Sequence, residues 1–333
     1  MDVGTGLITC QRRPDDPRSY VDLYEEMLTL GQVADDAGLA SIWVSEHHFA
    51  EDGYLPGTMP SLGALAACTD RIDLGTCVAL APLYDPVRLV EDAATVDLIS
   101  DGRMQLGLSI GYRNEEFEHF GIDRSERVER TVDAVELAKA TWRDSSYDPT
   151  FHPIGADVPI TPPPSDNGPP ILLGGSAKPA VRRAATIADG WIAPSSLDAN
   201  GLRIRADDIR RTREEAGLEE DFKLYVLKHG FIGDTPDEAW EAMRPGYFYL
   251  ARSYASYATG EPVDRLSTER QTELQSAAIY GTPDAVANEL IELAELLGED
   301  IHVIFRTYYP GIGTDQMQTC IERLGDEVLP VLP

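Results

Sequence analysis

Glu46, His47 and His48 follow directly on a short apolar run, Ala40-Ser41-Ile42-Trp43-Val44. A carboxyl group beside two imidazoles is a set of groups that can move protons near neutral pH. The run before them is apolar nearly throughout, as expected of a strand buried on both faces. In parallel α/β folds the carboxyl ends of such strands form the active face. Successive strand residues point to opposite sides, so His47 and His48 cannot share one task. One is expected to face the mouth of the fold and the other to pack outward. The competing reading is a histidine pair satisfied by structural hydrogen bonds at a strand end.

Other strand ends offer further groups. Gly174-Gly175-Ser176-Ala177-Lys178-Pro179 lies between a strand and a helix. Its glycines let the backbone approach an anion, and the helix start presents unpaired amides and a positive dipole end. An ordinary tight turn that needs glycine geometry is the alternative. Gly75, Thr76 and Cys77 interrupt a β pattern with small residues, which suggests a bulge or a close approach to a ligand, against simple packing on a neighbour. Tyr112 and Arg113 follow Ser109-Ile110-Gly111 and are expected at the rim, where an aromatic ring and a cation suit a planar anionic ligand. Glu115-Glu116 reads as the solvated start of the next segment. Thr9-Cys10, Pro194-Ser195 and Arg306-Thr307 complete the strand ends. Adjacent histidines cannot both reach one ion from a strand, and no His-x-x-x-His or third ligand accompanies them, so no metal site is expected. No Gly-x-Ser-x-Gly elbow marks a serine hydrolase.

The elements that must hold these groups alternate. Strands are expected over 3–10, 40–45, 72–80, 104–110, 171–173, 191–193, 223–232 and 301–306. Helices are expected over 19–37, 60–68, 86–99, 125–142, 178–188, 199–216, 283–297 and 314–324, with helical character opening at 236–243. The proline-rich stretch 147–170 reads as a surface excursion with one short hairpin at 151–158, and 244–278 as an insertion of undecided structure. Eight strands alternating with helices predict a (β/α)8 TIM barrel, residues 1–333 forming a single domain, with insertions after strand four and between strands seven and eight. A doubly wound sheet would need a Gly-x-Gly-x-x-Gly after its first strand, where Gln11-Arg12-Arg13-Pro14-Asp15 stands instead.

The chain has 57 acidic and 28 basic residues, a formal net charge of −29. That balance disfavours nucleic acid and anionic membranes as partners. No run approaches the ~20 apolar residues of a membrane span, and no signal peptide is expected at the N-terminus. Four dispersed cysteines read as reduced thiols of a cytoplasmic protein. The acidic coat predicts a halophilic, high-salt cytoplasm.

The motifs EHHF, RIDLGTCVALAP, DPVRLVEDAATVDLISDGRMQLGLSIGYRNEEFEHFGID, GGSAKPAVRRAATIADGWI and YGTPDAVANELIEL resemble the bacterial luciferase-like flavin-dependent monooxygenase family. The likeness runs from about Val3 to Leu332. It is weakest over 151–164 and 245–278, and most specific over 74–120. It implies a (β/α)8 barrel using reduced FMN with molecular oxygen on a small organic substrate, or coenzyme F420 in a sister branch. A separate flavin reductase would supply reduced FMN, and the chain would form a homo-oligomer, a dimer or tetramer. A barrel that binds flavin without catalysis is the alternative from another class.

The resemblance also implies site residues. His47 matches the catalytic histidine, with Glu46 before it. Cys77-Val78 matches a non-proline cis peptide against the flavin ring. Ser109 matches the luciferase cysteine near the flavin. Ile110 stands where luciferase has its phosphate-binding arginine, so Arg113, Ser176 and the backbone of Gly174, Gly175 and Ala177 are expected to replace it, with Tyr112 beside the cofactor.

The charge carries a prediction of its own. Screening by molar salt, where the Debye length is ~3 Å, relieves self-repulsion. The melting temperature should therefore climb steeply from dilute buffer to molar KCl; a flat profile would show that local ion pairs already balance the charge.

Overall fold

Residues 1–143, 150–151, 159–219, 221–298 and 300–333 are described by a computed structural model. The chain alternates strand and helix as β1 (Asp2–Ile8), α1 (Tyr20–Asp36), β2 (Ser41–Val44), α2 (Thr58–Cys68), β3 (Asp73–Thr76), β4 (Ala79–Leu80), α3 (Pro86–Ser100), β5 (Met104–Ser109), α4 (Asn114–Phe120) and α5 (Arg127–Arg143). It continues through β6 (Ile171–Gly174), α6 (Lys178–Ile187), β7 (Gly190–Ala193), α7 (Ala199–Ala216), β8 (Lys223–Ile232), α8 (Pro236–Thr259), α9 (Thr268–Ala277), β9 (Ile279–Gly281), α10 (Pro283–Leu297), β10 (Ile301–Arg306) and α11 (Thr314–Arg323).

Strands β10, β1, β2, β3, β5, β6, β7 and β8 pair in that order, all parallel, and β8 pairs back to β10. The ring is a closed eight-stranded (β/α)8 barrel, as the alternation predicts. Helix starts are fixed by local chemistry. Ser19 and Asp22 form a reciprocal capping box on α1. Asp85, Thr235 and Thr282 each accept an amide of the following helix, and each precedes a proline at its first position. The barrel interior holds Leu7, Trp43, Cys77, Leu172, Ile192, Tyr225 and Ile304. At its amino-terminal floor Ser41 Oγ accepts from Trp43 Nε1 at 2.6 Å and lies 2.6 Å from His302 Nε2. Burial pushes the His302 pKa down to about 3, so this layer is a neutral structural network.

One expectation needs correction, and two that the sequence left open are decided. The strand expected over 72–80 is two pieces, β3 and β4, divided at Cys77-Val78, whose peptide is cis. The small residue at 75 serves packing: a Cβ on Gly75 would lie 2.2 Å from the Trp43 ring. The undecided stretch 244–278 is largely helix. Pro245-Gly246 reads as a breaker, yet α8 runs through it, and Gly246 lets the helix sit against Tyr309, 2.7 Å from where its Cβ would be. That helix brings Tyr247, Tyr254 and Tyr257 over the carboxyl-terminal rim. The hairpin expected at 151–158 lies almost wholly outside the described residues.

Candidate functional site

The carboxyl ends of the strands open into a cavity of about 1960 Å³, lined from β2, the Cys77-Val78 break, β5, β6, β7, β8 and β10 and roofed by α8. The volume exceeds the ~1,000 Å³ upper end of ordinary ligand pockets, so two molecules fit side by side.

His47 stands in its wall, 4% exposed. Its Nδ1 lies 2.8 Å from Glu116 Oε1 on α4, and the His48 amide donates to the same oxygen at 2.9 Å. A carboxylate accepts only, so the proton of neutral His47 belongs on Nδ1. Its Nε2 is then the free acceptor, 3.5 Å from the Tyr112 hydroxyl. The rings of Tyr54, Tyr112, Tyr254 and Tyr257 surround the imidazole, with centroids 4.8 to 5.9 Å away. Burial, first among the causes, raises the pKa values of Tyr54, Tyr112 and Tyr257, so these phenols stay neutral.

His48 turns the other way. Its Nε2 lies 2.7 Å from Glu46 Oε1, and its ring meets Phe120 edge-on at 4.8 Å. Glu46 borders the cavity, but both its oxygens are engaged: Oε2 accepts from the Leu80 amide at 3.1 Å and the Tyr84 hydroxyl at 2.9 Å. It ties the end of β2 to β4 and leaves His47 to a different acid. Glu116 is that acid, and the expectation of a solvated Glu115-Glu116 pair fails for its second member, which is fully buried. Phe117 and Phe120 at helical spacing before Gly121 were the available signal for α4; nothing in the sequence marked which of the two acids turns inward.

At the end of β6, Gly174, Gly175 and Ser176 line the cavity. Gly175 has φ +145°, a backbone conformation that favours glycine. Helix α6 starts there with no side-chain cap on its amides. Arg127 and Arg205 line the same end. Arg127 Nε is buried without a partner, and Arg205 Nε donates to the Ser176 carbonyl at 3.2 Å. The sequence singles out neither arginine as a site residue: Arg127 reads as the opening of the helix expected over 125–142, and Arg205 as one more charge within the helix over 199–216. Ser109, Cys77 and Val78 line the cavity between this end and His47. Burial pushes the Cys77 thiol up to about 12, so it is a neutral contact.

Two expected site residues lie elsewhere. Arg113 does not border the cavity; it donates to the His48 and Phe49 carbonyls, pairs with Glu115 and lies 4.4 Å over the Tyr257 ring. It braces the loop carrying the histidines. Ala177 is exposed and outside the lining. Among the described residues no cluster of metal-ligating side chains occurs, and no helix is long and apolar enough to cross a membrane.

Comparison with known proteins gives a consistent picture. The family described as luciferase-like monooxygenase matches residues 1–300. The oxygenase component of flavin-dependent trigonelline monooxygenase from Acinetobacter baylyi is 24% identical, over 97% of this chain and 94% of its own. The F420-dependent glucose-6-phosphate dehydrogenase of Microbacterium testaceum is 31% identical, over 92% of this chain and 93% of its own. The crystal structure of the monooxygenase RslO1 from Streptomyces bottropensis superposes with a TM-score of 0.87 at 24% identity, covering 99% of each chain, which shows the shared fold.

The two histidines should separate in stability. His48→Ala leaves Glu46 Oε1 buried without its partner, at a cost of about 1–3 kcal/mol, read as a lower urea midpoint. An unchanged midpoint would show that Glu46 is satisfied by its other contacts.

Proposed function

This chain belongs to the luciferase-like monooxygenase family, and from that premise we propose a flavin-dependent monooxygenase that uses reduced FMN and molecular oxygen on a small organic substrate. One observation carries the reading. A single cavity holds, at one end, the Gly174–Ser176 turn with two arginines and, at the other, a histidine oriented by a buried carboxylate. The first end fits a phosphorylated cofactor: the Gly174-Gly175 backbone permits close approach, Ser176 offers a hydroxyl, and Arg127 has a buried Nε without a partner. Reduced FMN, when bound, would supply electrons to molecular oxygen, whereas coenzyme F420 would exchange them with the substrate directly.

The chain's own residues then have defined tasks. Gly175, Ser176, Arg127 and Arg205 hold the phosphate. Val78, the neutral Cys77 thiol and Ser109 contact the ring. His47 takes or gives a proton through Nε2, Glu116 keeps the imidazole in register, and the tyrosines exclude water. Glu46 acts as a positioning residue, fixing β4 and with it the Cys77-Val78 segment. A retained His47–Glu116 pair argues against a barrel that only binds flavin.

The F420 reading stays as the second one because a full-length relative at 31% identity is named F420-dependent. For the FMN reading, the relative named an oxygenase component supports a separate reductase as partner. The four unpaired cysteines support a cytoplasmic site. The acidic coat supports a high-salt habitat, and the family resemblance a homo-oligomer, for which sedimentation is the test.

Anaerobic titration with each reduced cofactor, followed by admission of oxygen, decides between the readings. Tight binding of reduced FMN and its oxygen-dependent turnover are expected; binding of reduced F420 alone would select the other branch. Arg127→Met should weaken FMN about tenfold while leaving riboflavin, which lacks the phosphate, unchanged; equal losses for both would remove Arg127 from the phosphate end. His47→Ala should cut turnover about 10²–10⁴-fold with a much smaller change in cofactor affinity, and wild-type turnover in that variant would refute its catalytic role.

A further inference from the structure

Arg306 ends β10 on the barrel rim and is 1% exposed. Its Nε donates to the Tyr308 carbonyl at 3.3 Å and its Nη1 to the Tyr254 hydroxyl at 3.3 Å, while Nη2 is buried without a partner. No carboxylate pairs with it among the described residues, although the chain carries 57 acidic groups. A guanidinium does not lose its proton in a protein, and a buried charge is costly unless paired. Several other buried or half-buried arginines in this chain do have acids: Arg18 has Asp16 and Glu26, Arg113 has Glu115, and Arg143 has Asp189. Its strand neighbour across β8 is His229, also in the cavity wall, whose Nδ1 is likewise buried and unpartnered. The two orphaned groups thus sit side by side over the same space, beside the lining rings of Tyr247 and Tyr254.

We propose that Arg306 is the receptor for a carboxylate on the substrate, with the substrate's apolar or aromatic body held among the tyrosines of α8. This deepens the function proposed above and rests on it for the identity of the ligand as substrate. Topology separates this anion site from the phosphate end. Arg306 stands on β10 and the glycine turn on β6, three strands apart in a ring where four is the maximum. The charge also fits: one guanidinium with one free nitrogen matches a single carboxylate, while the phosphate end already has two arginines and the Gly174–Ser176 turn. His229 supplies a second, uncharged contact. Its pKa is driven well down by burial and by Arg306 and Lys228, so it does not compete for the anion as a cation.

The test uses the full-length protein without flavin and two probes of equal shape, benzoate and benzamide, by calorimetry at constant ionic strength. Wild type should bind benzoate about tenfold or more tighter than benzamide, the worth of a charge-assisted hydrogen bond. Arg306→Gln should abolish that preference and Arg306→Lys should keep part of it, while inorganic phosphate should not displace benzoate. Equal affinities in wild type, no benzoate binding, a preference surviving in Arg306→Gln, or displacement by phosphate would each overturn the proposal. If Arg306→Gln does not fold, the wild-type ratio and the lysine variant decide. Reduced FMN is titrated into the same preparations. A variant that loses FMN but keeps the benzoate preference would assign Arg306 to the flavin and sink this proposal alone. A wild type that discriminates benzoate yet binds neither reduced cofactor would sink the monooxygenase reading and leave the carboxylate site standing.

Discussion

One carboxylate oxygen organises the mouth of this barrel. Glu116 Oε1 accepts from His47 Nδ1 and from the His48 amide, joining a side chain and a backbone group of the β2 loop to a single atom on α4. Glu46 makes the complementary tie, from the same loop to His48, to the Leu80 amide and to Tyr84. Two buried acids, two residues and one helix thus fix where the imidazole points and where the segment after Cys77 runs. Hydrogen bonds to ionised groups are stronger than neutral ones, and in a dry wall they resist exchange with water. The ring of tyrosines around His47 depends on this arrangement, because its centre is an imidazole that cannot turn without losing its bond to Glu116.

Electrostatics divide the molecule in two. The outside is acidic, with arginines mostly paired to acids one turn away along a helix, such as Arg88 with Asp92 and Arg203 with Asp207; such exposed pairs are worth little singly. The cavity wall is mixed: Arg127, Arg205 and Arg306 face it together with acids such as Asp198, Glu273 and Glu289, and two of those three arginines carry a buried nitrogen without a partner. Individual buried cations mark its anion positions, and the separation of Arg127 and Arg306 along the rim gives the cavity two ends.

Much of this was legible in the sequence because the barrel repeats one physical rule. Apolar runs bounded by caps, prolines and glycines gave all eight barrel strands, and the position of His47 and of Gly174 to Ser176 at strand ends followed from that period. What could not be read depends on contacts far apart in the chain. Glu116 and its neighbour Glu115 are the same residue type in the same short helix, and only the docking of α4 on the β2 loop distinguishes them. Arg113 looked available because it follows a strand, yet backbone carbonyls of residues 48 and 49 claim it. Arg306 was visible as a strand-end residue, but its lack of an acid is a property of everything around it. Helix α8 was hidden by Pro245-Gly246, a pair that reads as a stop and is tolerated because Tyr309 needs the room.

The account turns on Glu116 holding His47 with its proton on Nδ1 and Nε2 free toward the cavity. Nitrogen-15 NMR of histidine-labelled protein reads this directly at about pH 8, above the range where free histidine titrates. The His47 signals are identified by their loss in His47→Gln. The predicted result is a protonated Nδ1 and an unprotonated Nε2 in wild type, with that preference lost in Glu116→Leu, which has no acceptor. A protonated Nε2 in wild type, or an unchanged tautomer preference in Glu116→Leu, would contradict it.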